Sequence, residues 1–207
     1  MKKALILDLD NTIYPVSSIA DALFESLFNV VEEYRELLGD EKLQHIKYEF
    51  TRRPYQHIAA DYNFSPELCQ KGLDYLQNIT YNKPMVPYNG YRELSQVPIT
   101  KFLVTTGFTK LQNSKVKMLD IENDFAEIHI VDPQISTITK KDVFADILQR
   151  HDLLPDEVLV IGDDPQSEIK AAQALGIDTF LFDPENKHPE ASVTYKSVRL
   201  VDVLNYL

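Results

Sequence analysis

At 207 residues and 44% hydrophobic content, the chain is long enough to bury a sizeable core, either as one domain or as a core with a smaller insertion. A formal net charge of −11, with no basic stripe, argues against a nucleic-acid partner, because phosphate backbones are held by clustered Lys and Arg. A single cysteine, Cys69, leaves no internal disulfide and fits a reducing compartment; with neither a signal peptide nor a membrane span readable, a cytoplasmic protein is expected.

The first element is Ala4 to Leu7, four apolar residues bounded by charge. That is the pattern of an interior parallel strand with both faces covered. It stops at Asp8 and Asp10, two carboxylates one leucine apart. In open α/β sheets ligands bind beyond the carboxyl ends of strands, and side chains two residues apart project in similar directions while the chain stays extended. Such a pair repels itself unless a cation lies between the charges, and a hard divalent ion such as Mg²⁺ suits oxygen ligands and substrate phosphate. The alternative is a polar turn made by Asp10 and Asn11.

From Ser17 to Leu38 apolar residues recur at helical spacing (Ile19, Leu23, Leu27, Val30, Val31, Tyr34, Leu37, Leu38), with Ser18 and Asp21 spaced as a capping box and Gly39 placed to end the helix. A second helix is expected over Glu41 to Arg52, stopped by Pro54, and a third near Tyr55 to Tyr62. Ser65-Pro66-Glu67 opens a fourth with an N-cap and a first-turn proline. Residues 16 to 84 therefore read as an all-helical insertion.

The prolines and Asn-Gly pair of Asn82 to Gly90 mark a boundary. Beyond it the pattern alternates: a short helix Tyr91 to Gln96, strand Thr100 to Thr105, helix Lys110 to Leu119 and strand Ala126 to Val131. Then come helix Thr139 to Arg150, strand Val158 to Ile161, helix Pro165 to Leu175, strand Thr179 to Phe182 and a closing helix Val198 to Tyr206. Short connections between alternating elements imply a Rossmann-like α/β fold, a parallel sheet with helices on both faces. The domains expected are a core of residues 1–15 and 85–207 and a helical cap of 16–84 inserted after strand one, placed to close over the two aspartates.

Three further motifs lie at strand ends. Thr105, Thr106 and Gly107 offer hydroxyls and an open backbone to a phosphate. Thr139 and Asp142 have capping-box spacing and set Lys140 in the first helical turn, where backbone donors, the helix dipole and an ammonium favour an anion. Lys140 is preferred to Lys141 because Phe144, four residues on, should anchor its turn in the core. Val158 to Ile161 is a buried-type strand followed by Gly162 and by Asp163, a metal-ligand candidate. Asp164 is either an N-cap or a site residue, and Glu168 either reaches the metal shell or complements the helix dipole. Arg52, Arg53, Tyr55, His57, Tyr81 and Lys83 are candidates to contact the leaving group.

Asp8-Leu9-Asp10-Asn11-Thr12, Thr105, Lys140 and Gly162-Asp163-Asp164 resemble, in order and context, the four motifs of the haloacid dehalogenase-like hydrolase superfamily. The resemblance is to members whose helical cap follows strand one. It implies that Asp8 attacks phosphorus to form an aspartyl phosphate and that Asp10 is the general acid and base. It further implies that Mg²⁺ is bound by Asp8, the Asp10 backbone carbonyl and Asp163, and that Thr105 and Lys140 hold the phosphoryl group. The second aspartate, absent from the namesake dehalogenases, implies a phosphatase or phosphomutase. The expected function is a Mg²⁺-dependent phosphatase for a small phosphate monoester, a sugar phosphate or nucleoside monophosphate. DLDNTIYP before a helical insertion also looks like the pyrimidine 5′-nucleotidase branch. A phosphomutase, or a non-catalytic ligand-binding relative, is the alternative. Two positions depart from the common pattern: Glu168 stands where many relatives have aspartate, and Lys140 lacks the following proline.

Overall fold

The computed structural model describes residues 1–50, 53 and 55–207. Six strands form one all-parallel sheet: β1 (Ala4–Leu7), β2 (Thr100–Thr106), β3 (Glu127–Val131), β4 (Val158–Gly162), β5 (Asp178–Phe182) and β6 (Tyr195–Ser197). The spatial order is β3-β2-β1-β4-β5-β6. β1 is thus central, with Leu7 level with Leu103 of β2 and with Ile161 of β4. Every residue of β1 and β4 is buried, as a strand covered on both faces requires. Lys2 fixes the start of β1, its ammonium donating to the Val158 and Asp156 carbonyls and pairing with Asp178.

Between β1 and β2 lies the all-helical cap: α1 (Ala20–Glu32), α2 (Arg35–Leu38), α3 (Asp40–Glu49), α4 (Tyr55–Asp61) and α5 (Pro66–Asn78). Its own core is a continuation of that of one sheet face, through Leu23, Leu27, Val31, Leu43, Ile46 and Ile58. Ser65 caps α5 as expected, accepting from the Leu68 amide. After the cap come α6 (Tyr91–Ser95), α7 (Thr109–Leu119), α8 (Lys140–Arg150) and α9 (Glu168–Gln173).

Several expectations need correction. The helix read over Ser17 to Leu38 is broken: a 3₁₀ turn occupies Val16–Ser18, α1 ends at Glu32, and α2 is a separate short piece. Arg35 braces the break by pairing with Glu32 and Asp40, and the turned-away Leu37 is 77% exposed. Ser18 makes no capping box, because its hydroxyl donates to the Pro15 carbonyl within the 3₁₀ turn. The second helix starts at Asp40 and is described to Glu49; its expected end at Arg52 lies outside the described residues.

The helix after β4 starts at Glu168, three residues later than Pro165. The Asp164 side chain accepts from the Gln166 amide and the Asp164 amide donates to Glu168, so a turn takes the first three positions. β6 had no periodic signal in its three half-buried residues. The C-terminal element is a 3₁₀ helix, Leu200–Tyr206, burying Leu200 and Val203 at the three-residue period of that helix.

Candidate active site

The chain leaves β1 at Leu7 and turns at Asn11, whose φ of 57° is a left-handed conformation that asparagine tolerates. The Asn11 side chain accepts from the Val16 amide, tying the turn to the entrance of the cap. Asp8 and Asp10 are thereby held at the carboxyl end of the central strand. Beneath the cap they line a cavity of ≈ 370 Å³ together with Lys140, Asp163, Asp164 and Glu168.

Lys140 is the first residue of α8, behind the Thr139–Asp142 capping box, and only 8% exposed. Phe144, one turn on, is fully buried; roughly 1.5–3 kcal/mol of apolar transfer holds that turn in place. The Lys140 ammonium lies 2.6 Å from Asp8 and 2.8 Å from Glu168, whereas Lys141 is exposed. Glu168 is 2% exposed and also accepts from the Asp164 amide. It fits because residue 162 is glycine: a Cβ there would come within 2.1 Å of the Glu168 carboxylate.

Asp8, Asp163 and Glu168 each present one oxygen within 4.8 Å of the others. Lys140 pairs with Asp8 and Glu168 but not with Asp163, so three carboxylates face one ammonium and two formal negative charges remain uncompensated. Burial pushes the Asp8 carboxyl up to about 7 against the pull of Lys140, with Glu168 adding to the rise. Burial, then Glu168 and Asp8, raise Asp163 well above its ordinary value. Glu168, although buried, is held below its ordinary value by Lys140. A donor set of hard oxygens with excess negative charge fits a divalent cation such as Mg²⁺.

Asp10 has a separate environment, and sequence reasoning missed most of it. Lys115 lies 2.8 Å away, Tyr14 donates its hydroxyl, and the Gln112 amide donates at 3.0 Å. Burial would raise the Asp10 carboxyl, but the Lys115 ammonium and the bonds from Lys115, Tyr14 and Gln112 hold it below the ordinary value. Gln112 and Lys115 lie on the buried face of α7 with Leu111, Val116 and Leu119. Two polar residues on the apolar stripe of an amphipathic helix were the available signal.

The same Gln112 amide is 2.7 Å from the Thr105 hydroxyl, which joins Thr105 to the Asp10 cluster. Thr105 is 1% exposed and does not line the cavity, whereas Thr106 and Gly107 do. Of the expected specificity residues, Arg53 and Tyr55 line the cavity; His57, Tyr81 and Lys83 do not, and Arg52 lies outside the described residues. Arg53 is already paired with Glu49 and Asp61, and the Tyr55 hydroxyl donates to the Leu68 carbonyl. Among the described residues no helix is long and apolar enough to cross a membrane.

A Rossmann-like sheet with paired carboxylates following its central strand, under a helical cap, defines a capped α/β protein with an acidic site at the strand ends. The chain belongs to the haloacid dehalogenase-like hydrolases: that family's model matches residues 5–182. It is therefore a hydrolytic enzyme.

Solved structures with the same fold include a candidate phosphatase from Clostridium difficile, at 16% identity and TM-score 0.75, covering 100% of this chain and 98% of that one. A candidate phosphoglycolate phosphatase from Lactobacillus plantarum is similar at 17% identity and TM-score 0.74, with 100% of each chain covered. The candidate HAD-hydrolase YfnB from Bacillus subtilis, described as bound to magnesium, is similar at 20% identity and TM-score 0.67, covering 100% of this chain and 98% of that one. No protein in the curated set matches the sequence.

Proposed function

We propose that this hydrolase is a phosphatase that cleaves a small phosphate monoester through an aspartyl phosphate on Asp8. The observation that carries the reading is the convergence of Asp8, Asp10, Lys140 and Asp163 on one cavity, with the Lys140 ammonium 2.6 Å from the Asp8 carboxylate. On this reading the Asp8 oxygen bonds to phosphorus as the ester P–O bond breaks, and Asp10 delivers a proton to the departing oxygen. Asp10 then takes a proton from the water that attacks the phosphoenzyme, regenerating Asp8 and releasing phosphate. Splitting one displacement into two needs both an acid and a base, and Asp10 in contact with Lys115, Tyr14 and Gln112 is held as the base. A bound phosphate dianion beside it favours the protonated form needed in the first step.

Asp8, Asp163 and the Asp10 carbonyl, with Glu168 at the rim of the set, would hold Mg²⁺, which supplies charge neutralisation to the transferring phosphoryl group. Lys140 and the strand end at Thr106 and Gly107 would hold the phosphoryl oxygens, with Thr105 behind them bonded to Gln112. The division into core (1–15 and 85–207) and cap (16–84) belongs to the same proposal, the cap excluding water from the phosphoenzyme. The test is phosphate release from 4-nitrophenyl phosphate. The parent should require Mg²⁺, and Asp8→Asn should retain almost no turnover; normal turnover in the variant, or in excess chelator, would overturn the mechanism.

A further inference from the structure

The cavity has two unlike walls. The core contributes the aspartates and Lys140 to its lining, and the cap contributes Phe24, Leu27, Phe50, Tyr55 and Leu76. Three of these are aromatic and pack as a run, Phe24 to Phe50 with centroids 6.5 Å apart and Phe50 to Tyr55 at 5.7 Å. The polar groups of the cap that also line the cavity are mostly committed elsewhere. Arg53 and Glu49 pair with each other, Arg53 also reaches Asp61, and the Tyr55 hydroxyl is spent on the Leu68 carbonyl.

Among the described cap residues that line the cavity, one donor is not committed. The Gln56 side-chain nitrogen is buried and has no hydrogen-bond partner among the described residues, and Gln56 lines this cavity. A desolvated donor without an acceptor is unfavourable, and turning the Gln56 amide toward an acceptor brought by the substrate would relieve it. A polyhydroxylated leaving group would lose solvation at each hydroxyl against the aromatic wall, where Gln56 is the one uncommitted donor among the cap's described lining residues. A flat apolar body would instead gain contact area there.

Resting on the phosphatase reading above, we infer that the substrate is the phosphate monoester of a largely apolar, aromatic alcohol carrying one hydrogen-bond acceptor, which Gln56 recognises. The cap selects the leaving group by shape and one hydrogen bond, while the floor handles the phosphoryl group common to all such esters. A volume of ≈ 370 Å³ suits a phosphoryl group with a small ring system.

Three esters of primary alcohols, similar in leaving-group reactivity, test this: glucose 6-phosphate, benzyl phosphate and 3-pyridylmethyl phosphate, the last carrying a ring nitrogen as acceptor. The expected order of kcat/KM, with Mg²⁺ present, places benzyl phosphate at least about tenfold above glucose 6-phosphate. The pyridylmethyl ester should lie roughly tenfold higher again. Gln56→Leu should abolish the pyridylmethyl-to-benzyl preference, a ratio that is insensitive to the fraction of folded enzyme. Equal or better turnover of glucose 6-phosphate, or a ratio unchanged in Gln56→Leu, overturns the substrate class and leaves the phosphatase reading standing. Absence of phosphate release from all three esters and from 4-nitrophenyl phosphate overturns the phosphatase reading and the substrate class with it.

Discussion

The Lys115 ammonium lies 2.8 Å from one oxygen of the Asp10 carboxylate and 3.0 Å from the other. The two residues sit on different elements, Lys115 in the middle of α7 and Asp10 just after the central strand. Lys115 is a positioning residue on this geometry, fixing both the direction and the charge of Asp10. Lys115→Met leaves only the neutral donors Tyr14 and Gln112 on Asp10, so its carboxyl rises and becomes ionised only at higher pH. The expected result is a fall in kcat of roughly 10- to 100-fold, with the acid limb of the pH profile moved upward. An unchanged profile would detach Lys115 from the chemistry.

On the proposed reading, Mg²⁺ and protons would compete for the floor of the cavity. The folded chain keeps the Asp8 proton up to about 7, whereas the unfolded chain loses it near 3.8. Between those values folding takes up a proton, so the stability of the metal-free protein falls as pH rises through that window. Mg²⁺ would offset the buried negative charge that forms above it. Thermal unfolding at pH 5 and pH 8, in chelator and in excess Mg²⁺, should show a larger Mg²⁺-induced rise in Tm at pH 8. Asp8→Asn should raise the Tm in chelator at pH 8. Equal Mg²⁺ effects at the two pH values would contradict the linkage.

Gly162→Ala tests the packing beneath the site. The added methyl would lie 2.1 Å from the Glu168 carboxylate oxygen and 2.2 Å from its Cγ. Glu168 must move, and its contact with Lys140 at 2.8 Å moves with it. Overpacking of this kind costs about 1–3 kcal/mol, and here it also disturbs the charge balance around Asp8. The expectation is a lower urea midpoint together with weaker Mg²⁺ activation. Parent-like Mg²⁺ dependence would show that Glu168 placement is not needed.

Away from the site, Glu127 on β3 accepts from Arg150, His151 and His129. The Arg150 bonds lead in holding its carboxyl well below the ordinary value, outweighing burial, with the histidines adding to the effect. Because the folded value is the lower one, the contribution is fully present above the unfolded value near 4.5 and is lost as pH falls through the folded value. Glu127→Gln should lower the urea midpoint at pH 7 and progressively less on acidification. A deficit that persists undiminished at pH 3 would sink this account.

The inner strands were legible, unlike β6, because β1 and β4 are short apolar runs ending in polar residues, a pattern set by their two-sided burial. Asp8, Lys140 and Asp163 were legible because strand ends and a capped helix start fix where their side chains point. Gln112 and Lys115 were not. Their role depends on α7 packing its buried face toward the end of β1, a tertiary fact that helical spacing alone does not contain. The broken helix at Glu33 and Tyr34, and the delayed start of α9, were likewise hidden. Both are set by local side-chain bonds, Arg35 with Glu32 in one and Asp164 with Gln166 in the other, which override periodicity.

The central position of β1 also fixes an order of events during synthesis. Its two sheet neighbours begin at Thr100 and Val158. At roughly 5–20 residues per second, the nascent Ala4–Leu7 segment therefore waits many seconds for both flanks, while the cap sequence is already outside the ribosome. Asp8, at the end of β1, reaches its final setting only after β4 at Val158–Gly162 has been made and paired.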